Sequence, residues 1–211
     1  MSVVATPERA LAVHTTAIEE VVVVASKIAR PLDAIPAQVS VITAERMAIE
    51  QVQEFGDIAR YEPAVEADFS TARFGNSGLS IRGIGGNRVA LEFDGVPMPQ
   101  RYDVGNFADS SRLALDPAIV SRIEILRGPG SALYGSDAIG GVVAVTSFDG
   151  DELVRPGRDS NFGARAGYFG VNDGVLGAAS HAWAGDRDST LASFSYRTGG
   201  EPKNTGRGVA D

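Results

Sequence analysis

Cysteine is absent from the 211 residues, which excludes disulfides and thiolate metal sites within the chain. Histidine is almost absent: His14 and His181 are too isolated in sequence for a catalytic triad or a histidine metal cluster. No run approaches the roughly 18 apolar residues of a membrane-crossing helix, so a membrane location would have to be reached with β-strands. Near the start the longest apolar run is only Val21 to Ala25. Positive charge is in deficit, with 19 Lys and Arg against 27 Asp and Glu and a formal net charge of -8. A surface built for nucleic acid or for anionic lipid needs the opposite balance, so no nucleic-acid partner is expected. A secretory leader is not recognisable either, because Met1 to Val13 has no basic segment before an apolar core and is broken by Pro7, Glu8 and Arg9. Ala10-Leu11-Ala12 has the small-x-small form of a cleavage site, which an alanine-rich stretch produces by chance, and the expectation is that the natural start lies elsewhere.

What is present is the composition of a folded protein, 44% hydrophobic and 22% charged, sufficient for one core and a second element. The chain is organised around Ser121 to Val145, SRIEILRGPGSALYGSDAIGGVVAV. This stretch predicts a buried strand over Arg122 to Leu126, a Gly/Pro corner over Arg127 to Gly130 and a helical turn over Ser131 to Tyr134. A second glycine corner and an apolar strand, Val142 to Val145, complete it. Gly83-Ile84-Gly85-Gly86 and Gly128-Pro129-Gly130 are read as structural corners, since neither forms GxGxxG ahead of a helix and no P-loop lysine follows.

In chain order, residues 1 to 18 are aperiodic, and Glu19-Glu20 then leads into four valines, Val21 to Val24. These have strong strand preference but no hairpin partner beside them in sequence. Two roles fit: a first strand of the domain's own sheet, or a strand lent to the edge of another protein. Lys27 to Pro36 reads as a linker, Val39 to Ile42 as a strand, and Thr43 as the cap of a helix over Ala44 to Ile49. A second helix is predicted over Gln53 to Arg60, with Phe55, Ile58 and Ala59 facing the core. Thr71 to Gly78 reads as a loop, Leu79 to Ile84 as a strand carrying Arg82, and Arg88 to Phe93 as a strand turned at Asp94-Gly95. Met98 to Ser111 is a long polar loop bearing Arg101, Tyr102, Asp103, Asn106 and Phe107, and long ordered loops tend to carry ligand contacts. Asp116 before Pro117 predicts a short helical turn. Arg82, Glu124 and Arg127 lie on or beside apolar strands, where a buried charge needs a partner.

Phe148 to Ser160 reads as a boundary, after which the pattern becomes an up-and-down meander. Strands are expected over 161–170, 175–184 and 190–198, with Phe162, Ala164, Ala166 and Tyr168 alternating against Asn161, Gly163, Arg165 and Gly167 in the first. Segments of about ten residues with this period belong to transmembrane barrels, and a soluble meander uses the same alternation. Three strands cannot close, since the smallest such barrels need about eight.

The stretch RIEILRGPGSALYGSDAIGGVVAVTS resembles the closing segment of the plug domain of TonB-dependent outer-membrane receptors. Ile35 to Met47 (IPAQVSVITAERM), Leu79 to Ile84 (LSIRGI) and Arg88 to Pro97 (RVALEFDGVP) resemble further parts of that plug in the same order. The resemblance covers roughly residues 30 to 147. It implies an α+β fold: a small mixed-sheet plug with short helices, followed by antiparallel strands that begin a large transmembrane barrel, 22-stranded in the family and incomplete here. The implied domains are a flexible segment over 1–29, the plug over 30–147, and a linker with the first barrel strands over 148–211. The chain is then the N-terminal part of a non-enzymatic receptor of the outer membrane, with its N-terminus in the periplasm, its barrel in lipid and no cofactor.

Under the same resemblance Glu20, Val21, Val22, Val23 and Val24 fall where a TonB box sits. That box pairs with an edge strand of the TonB protein of the energy-transducing inner-membrane complex. Arg82, Glu124 and Arg127 take the place of charges that meet the barrel wall. Substrate would settle on the apical loops at Arg73 and Phe74 and at Arg101, Tyr102, Asp103, Asn106 and Phe107. FGNSGLSIRGIGGNRVALEFDGVP with YGSDAIGGVVA is most similar to the haem and haemoglobin receptor branch, although no histidine lies between Met47 and Gly150. Tyr102 could serve as an oxygen ligand to ferric haem or as a plain contact residue. A ferric siderophore receptor and a soluble plug-like interaction or signalling module are the alternatives.

Overall fold

A computed structural model describes residues 21–22, 27–28, 30–31, 37–52, 54–70, 75–100, 103–104, 108–109, 115–155, 157–170, 173–185 and 187–200. At the N-terminal end, strand β1 (Val21–Val22) pairs antiparallel with β2 (Arg30–Pro31), Val21 opposite Pro31 and Val22 opposite Arg30. Val21 and Val22 therefore do have a hairpin partner, inside the stretch expected to be linker. Proline is tolerated there because each strand of a two-stranded ladder is an edge, where a missing N–H interrupts no further pairing.

Next come β3 (Val39–Thr43) and helices α1 (Ala44–Ile49) and α2 (Phe55–Ile58). Thr43 caps α1 as expected, its hydroxyl accepting from the Arg46 N–H at 3.3 Å. The second helix is shorter than expected, because Glu54 is its extended N-cap, with its own N–H donated to Asp57 at 3.1 Å. A hairpin of β4 (Val65–Ser70) and β5 (Gly75–Ile81) follows, with a bulge between Asp68 and Phe69. This corrects the expected loop over Thr71 to Gly78, whose second half is strand. Gly75, Asn76, Ser77 and Gly78 have little intrinsic strand preference, and the ladder with β4 supplies what they lack. Arg82 is also not on a strand: mutual backbone bonds between Ile81 and Ile84 close a turn that sets Arg82 at φ 53° and Gly83 at φ 75°.

Strand β6 (Val89–Phe93) turns at Asp94 (φ 48°) and Gly95 (φ 77°) into β7 (Val96–Pro97), the pair of positive φ values that a two-residue hairpin requires. The expected loop at Met98 to Ser111 contains a small hairpin, β8 (Asp103–Val104) with β9 (Ala108–Asp109). A 3-10 turn over Pro117–Ile119, capped by Asp116 at 2.9 Å from the Ala118 N–H, leads into β10 (Val120–Arg127), α3 (Ser131–Tyr134) and β11 (Gly141–Ser147). The boundary segment holds a short helix, α4 (Gly150–Leu153), and the meander is β12 (Ser160–Phe169), β13 (Gly174–Ala184) and β14 (Ser189–Thr198).

The largest sheet runs β3-β10-β11-β6-β7, antiparallel except for the parallel β11–β6 pair. Its registers place Ile42, Ile123, Ile125, Val143, Val145, Val89 and Leu91 on one face. There they are buried with Met47, Val52, Phe55 and Ile58 of the helical region and with Val65, Leu79 and Ile81 of the β4–β5 hairpin. The opposite face carries Leu126, Val142 and Ala90 under Tyr134 and Ala138, together with Glu124 and Glu92. The meander forms a separate three-stranded sheet in the order β12-β13-β14.

Gly141 marks the closest approach among the described glycines, since a Cβ there would lie 2.4 Å from the Leu126 carbonyl oxygen and 2.6 Å from Ile81 Cδ1. Gly141→Ala should destabilise this fold by about 1–3 kcal/mol, the usual range for overpacking. A urea-denaturation midpoint unchanged by this substitution would contradict the close packing of β5, β10 and β11.

Candidate functional site

On the covered face of the sheet, at the end of β10, a carboxylate is held between two guanidinium groups. Glu62, whose side chain is 3% exposed, accepts from Arg46 Nη1 at 2.8 Å and from Arg127 Nη2. Arg127 Nη2 also donates to Ser40 Oγ at 2.6 Å, and its backbone N–H donates to the Gln38 carbonyl at 2.9 Å. Arg127 Nε is buried and has no acceptor among the described residues. Gln38 is shared, because its side-chain oxygen accepts from Arg82 Nη2. Arg82 and Arg127 consequently line one cleft with Gln38, Val39, Pro63 and Ala64, about 480 Å³ in volume. Two guanidinium forks at one opening favour a carboxylate partner.

Glu124 lies on the other face of the sheet, away from that cleft. Across the strands the register reads Val41, Glu124, Ala144, Glu92, so that two buried acids flank a small alanine. Glu124 pairs with Arg122 Nε at 3.1 Å. Glu92 receives Lys27 Nζ at 2.8 and 2.9 Å on its two oxygens, and the same ammonium sits 3.8 Å from the centre of the Tyr134 ring. Burial, then Glu92, then Glu124 push the Tyr134 phenol well above its ordinary pKa, so the ring stays neutral beneath the lysine.

The expected site residues thus separate. Arg82 and Arg127 meet in one cleft, Glu124 belongs to another cluster, Val21 and Val22 form β1, and Asp103 begins β8. Glu20, Val23, Val24, Arg73, Phe74, Arg101, Tyr102, Asn106 and Phe107 lie outside the described residues. Sequence reasoning missed Lys27, Glu62 and Glu92, whose partners are distant in the chain, and Arg46, which pairs with Glu50 one turn on at 2.7 Å as well as with Glu62. The one available signal was Glu92, a lone acid inside the apolar run Val89–Phe93.

The meander's two faces differ as the alternation predicts. Phe162, Tyr168, Trp183, Phe194 and Tyr196 share one face and are each at least 51% exposed. The other face is mostly glycine, alanine and serine and is turned to the plug, with Leu176 and Ala182 buried. From it Arg165 Nη2 donates to the Val52 carbonyl at 3.4 Å, and Arg197 approaches Asp116 at 3.6 Å. A cleft of about 190 Å³ remains there, between Ala118–Ile119 and the three strands.

Removing Arg127 leaves Glu62 buried with Arg46 alone, and breaking such a buried pair costs about 3–5 kcal/mol. Arg46, with a side chain 35% exposed, is worth about 1 kcal/mol or less to the same carboxylate. Arg127→Ala should therefore lower the denaturation midpoint far more than Arg46→Ala does. The reverse order would displace Arg127 from the centre of this cluster.

Comparison with known proteins bears on the whole plug. The profile of the TonB-dependent Receptor Plug Domain family matches residues 31–142. The hemin receptor of Yersinia enterocolitica is 33% identical over 163 residues, 77% of this chain and 23% of the relative. Transferrin-binding protein A of Neisseria meningitidis serogroup B is 31% identical over 178 residues, 79% of this chain and 19% of the relative. The chain therefore spans about a fifth of the length of these relatives. Among solved structures, the hemophore receptor HasR of Serratia marcescens in complex with HasA and heme aligns with a TM-score of 0.65 at 21% identity, over 76% of this chain and 24% of that one. The ferripyoverdine receptor of the outer membrane of Pseudomonas aeruginosa aligns with a TM-score of 0.61 at 20% identity, over 83% of this chain and 22% of that one. With the family match running from β2 into β11 and taking in Arg82, Glu124 and Arg127, the chain belongs to the TonB-dependent receptor plug domain family.

Proposed function

We propose that this chain forms the plug and the opening barrel strands of an outer-membrane receptor that takes up an iron-containing substrate, haem before a ferric siderophore. The observation that carries the reading is the union of two things in one chain. A plug-family sheet is followed, after the short segment that holds α4, by strands of ten or eleven residues with an aromatic outer face and a small-residue inner face turned to the plug. Such an outer face is suited to lipid, and aromatic residues are the usual interfacial anchors of transmembrane barrels. A soluble meander would leave that apolar face against water. Arg82 and Arg127, side by side in their cleft, would meet carboxylates of the surrounding wall; Glu124, 2% exposed and paired with Arg122, is turned inward, so on that face Arg122 rather than Glu124 would meet the wall.

Energy would enter through Glu20–Val24, acting as a TonB box in the periplasm. Of this segment, Val21 and Val22 are in strand conformation, the form that strand addition to TonB requires. Val22→Pro removes an N–H from the pairing strand and should abolish energised uptake while leaving substrate binding at the surface unchanged. Normal uptake by cells carrying that variant would overturn the assignment.

The preference for haem rests on likeness to the hemin receptor and on the make-up of the Met98–Ser111 stretch, where a cation and two aromatic rings, Arg101, Tyr102 and Phe107, occur together. Aromatic faces supply stacking area for a planar ligand, and a guanidinium can hold a propionate in a forked pair. Replacing Arg101 and Tyr102 together with alanine should weaken haem binding at least tenfold, about 1.4 kcal/mol. Equal haem affinity in the double variant, with tight binding of a ferric siderophore by the wild type, would favour the siderophore reading.

A further inference from the structure

The inner face of the meander carries polar groups that nothing in the plug satisfies. Across the three strands the register gives two successive inward rows, Gly163–Ser180–Ser193 and Arg165–Ala178–Ser195. Both rows line the cleft of about 190 Å³ that the strands make with Ala118 and Ile119. Gly163 makes room there, because a Cβ on it would lie 2.8 Å from Ser180 Oγ, so the hydroxyl takes the space of the missing side chain. None of the three serine hydroxyls has a hydrogen-bond partner among the described residues.

Arg165 brings the charge. Its Nη2 reaches the plug at the Val52 carbonyl, 3.4 Å away, a long contact with a neutral acceptor, and it forms no ion pair among the described residues. A guanidinium carries five N–H donors in a planar fork, so most of this one is uncommitted. The inward arginine of the next row differs. Arg197 lies 3.6 Å from Asp116, whose carboxylate also caps the turn at Ala118.

We propose that this cleft is an internal binding site for a carboxylate, held by the Arg165 fork and by the hydroxyls of Ser180, Ser193 and Ser195. This rests on the reading of β12–β14 as barrel wall. A carboxylate suits the cleft better than a phosphate, because one guanidinium balances one charge and Asp116, at the start of the Pro117–Ile119 turn, would repel a dianion. The cleft admits a carboxylate on a short aliphatic stem, with Ala118, Ile119 and Ala178 against the stem, and is too small for a whole porphyrin or iron chelate. Such a group arrives free in solution or as an arm of a larger substrate.

The absence of cysteine from the chain makes the site addressable. In the full-length, membrane-inserted receptor with Ser193→Cys as its single cysteine, a thiosulfonate reagent bearing a sulfonate should react about tenfold faster than one bearing an ammonium, because a cationic cleft concentrates anions. Adding Arg165→Gln should erase that preference, while Arg165→Lys and Arg197→Gln should leave most of it. Excess propionate should slow the sulfonate reagent about fivefold by occupying the site, and only where Arg165 is intact. Further protection by haem and not by its dimethyl ester identifies a substrate arm as the source, and protection by propionate alone identifies a free carboxylate. Equal rates for the two reagents, a preference that survives Arg165→Gln, or a preference without protection by propionate each overturn the site. Loss of the preference in Arg197→Gln as complete as in Arg165→Gln overturns it too. Phe194→Cys, on the opposite face, reports on the wall itself: inert to both water-soluble reagents it faces lipid, and reactive to both it removes the barrel reading.

Discussion

The carboxylate of Glu62 ties together three elements of the plug. Through Arg46 it holds α1, through Arg127 it holds β10, and through the same guanidinium it reaches Ser40 on β3. An acid this deeply buried is costly unless its charge is met, so these three elements have little freedom to shift independently. The hydrophobic core above it supplies cohesion without direction. The ion cluster supplies the registration, setting where β10 ends and where the Gly/Pro corner begins, and it thereby aims Arg127 into the cleft shared with Arg82.

The two faces of the sheet have been put to different uses. One is covered by the α1–α2 region and the β4–β5 hairpin and is almost wholly apolar up to the Glu62 cluster. The other is only lightly covered by Tyr134 and Ala138, and here the same strands carry Glu124 and Glu92 in a row with Ala144. Paired acids next to a small residue leave room for long cationic side chains to lie across the sheet, and Arg122 and Lys27 do so. The division follows from the two-residue period of β10: Ile123 and Ile125 point one way, Arg122 and Glu124 the other.

Much of this was legible in the sequence where structure is local. Thr43 and α1, the helical turn at Ser131–Tyr134, the Asp94-Gly95 hairpin and the three meander strands all follow from periodicity and turn chemistry, with boundaries off by a residue or so. What escaped was non-local. Gly75–Gly78 is strand because Val65–Ser70 pairs with it, and Val21–Val22 is paired because Arg30 and Pro31 return to it. The ion pairs join residues 65 apart in the chain, Lys27 to Glu92 and Glu62 to Arg127, and no pattern within a strand or helix reports them. Arg82 was recognised as important but placed on a strand, because Ile81 and Ile84 look like strand residues while in fact closing a turn.

Strand β3 is an edge: it has one ladder, five paired positions against β10, whereas β10 and β11 are each held on both sides. It is also the first strand of the sheet that a mechanical load reaches when the chain is drawn from its N-terminal end. Tension along that path therefore falls on a strand with a single ladder, while Ile123, Ile125, Val143 and Val145 keep their cover from the helices. Peeling β3 away would strip Ser40 from Arg127 and Gln38 from Arg82, so one acceptor of each cleft arginine lies on the segment that yields first, and Arg127 keeps Glu62. The first strand on that path and the cleft of the two arginines are one place, and a pull strong enough to start unravelling the sheet there begins by exposing charge rather than core.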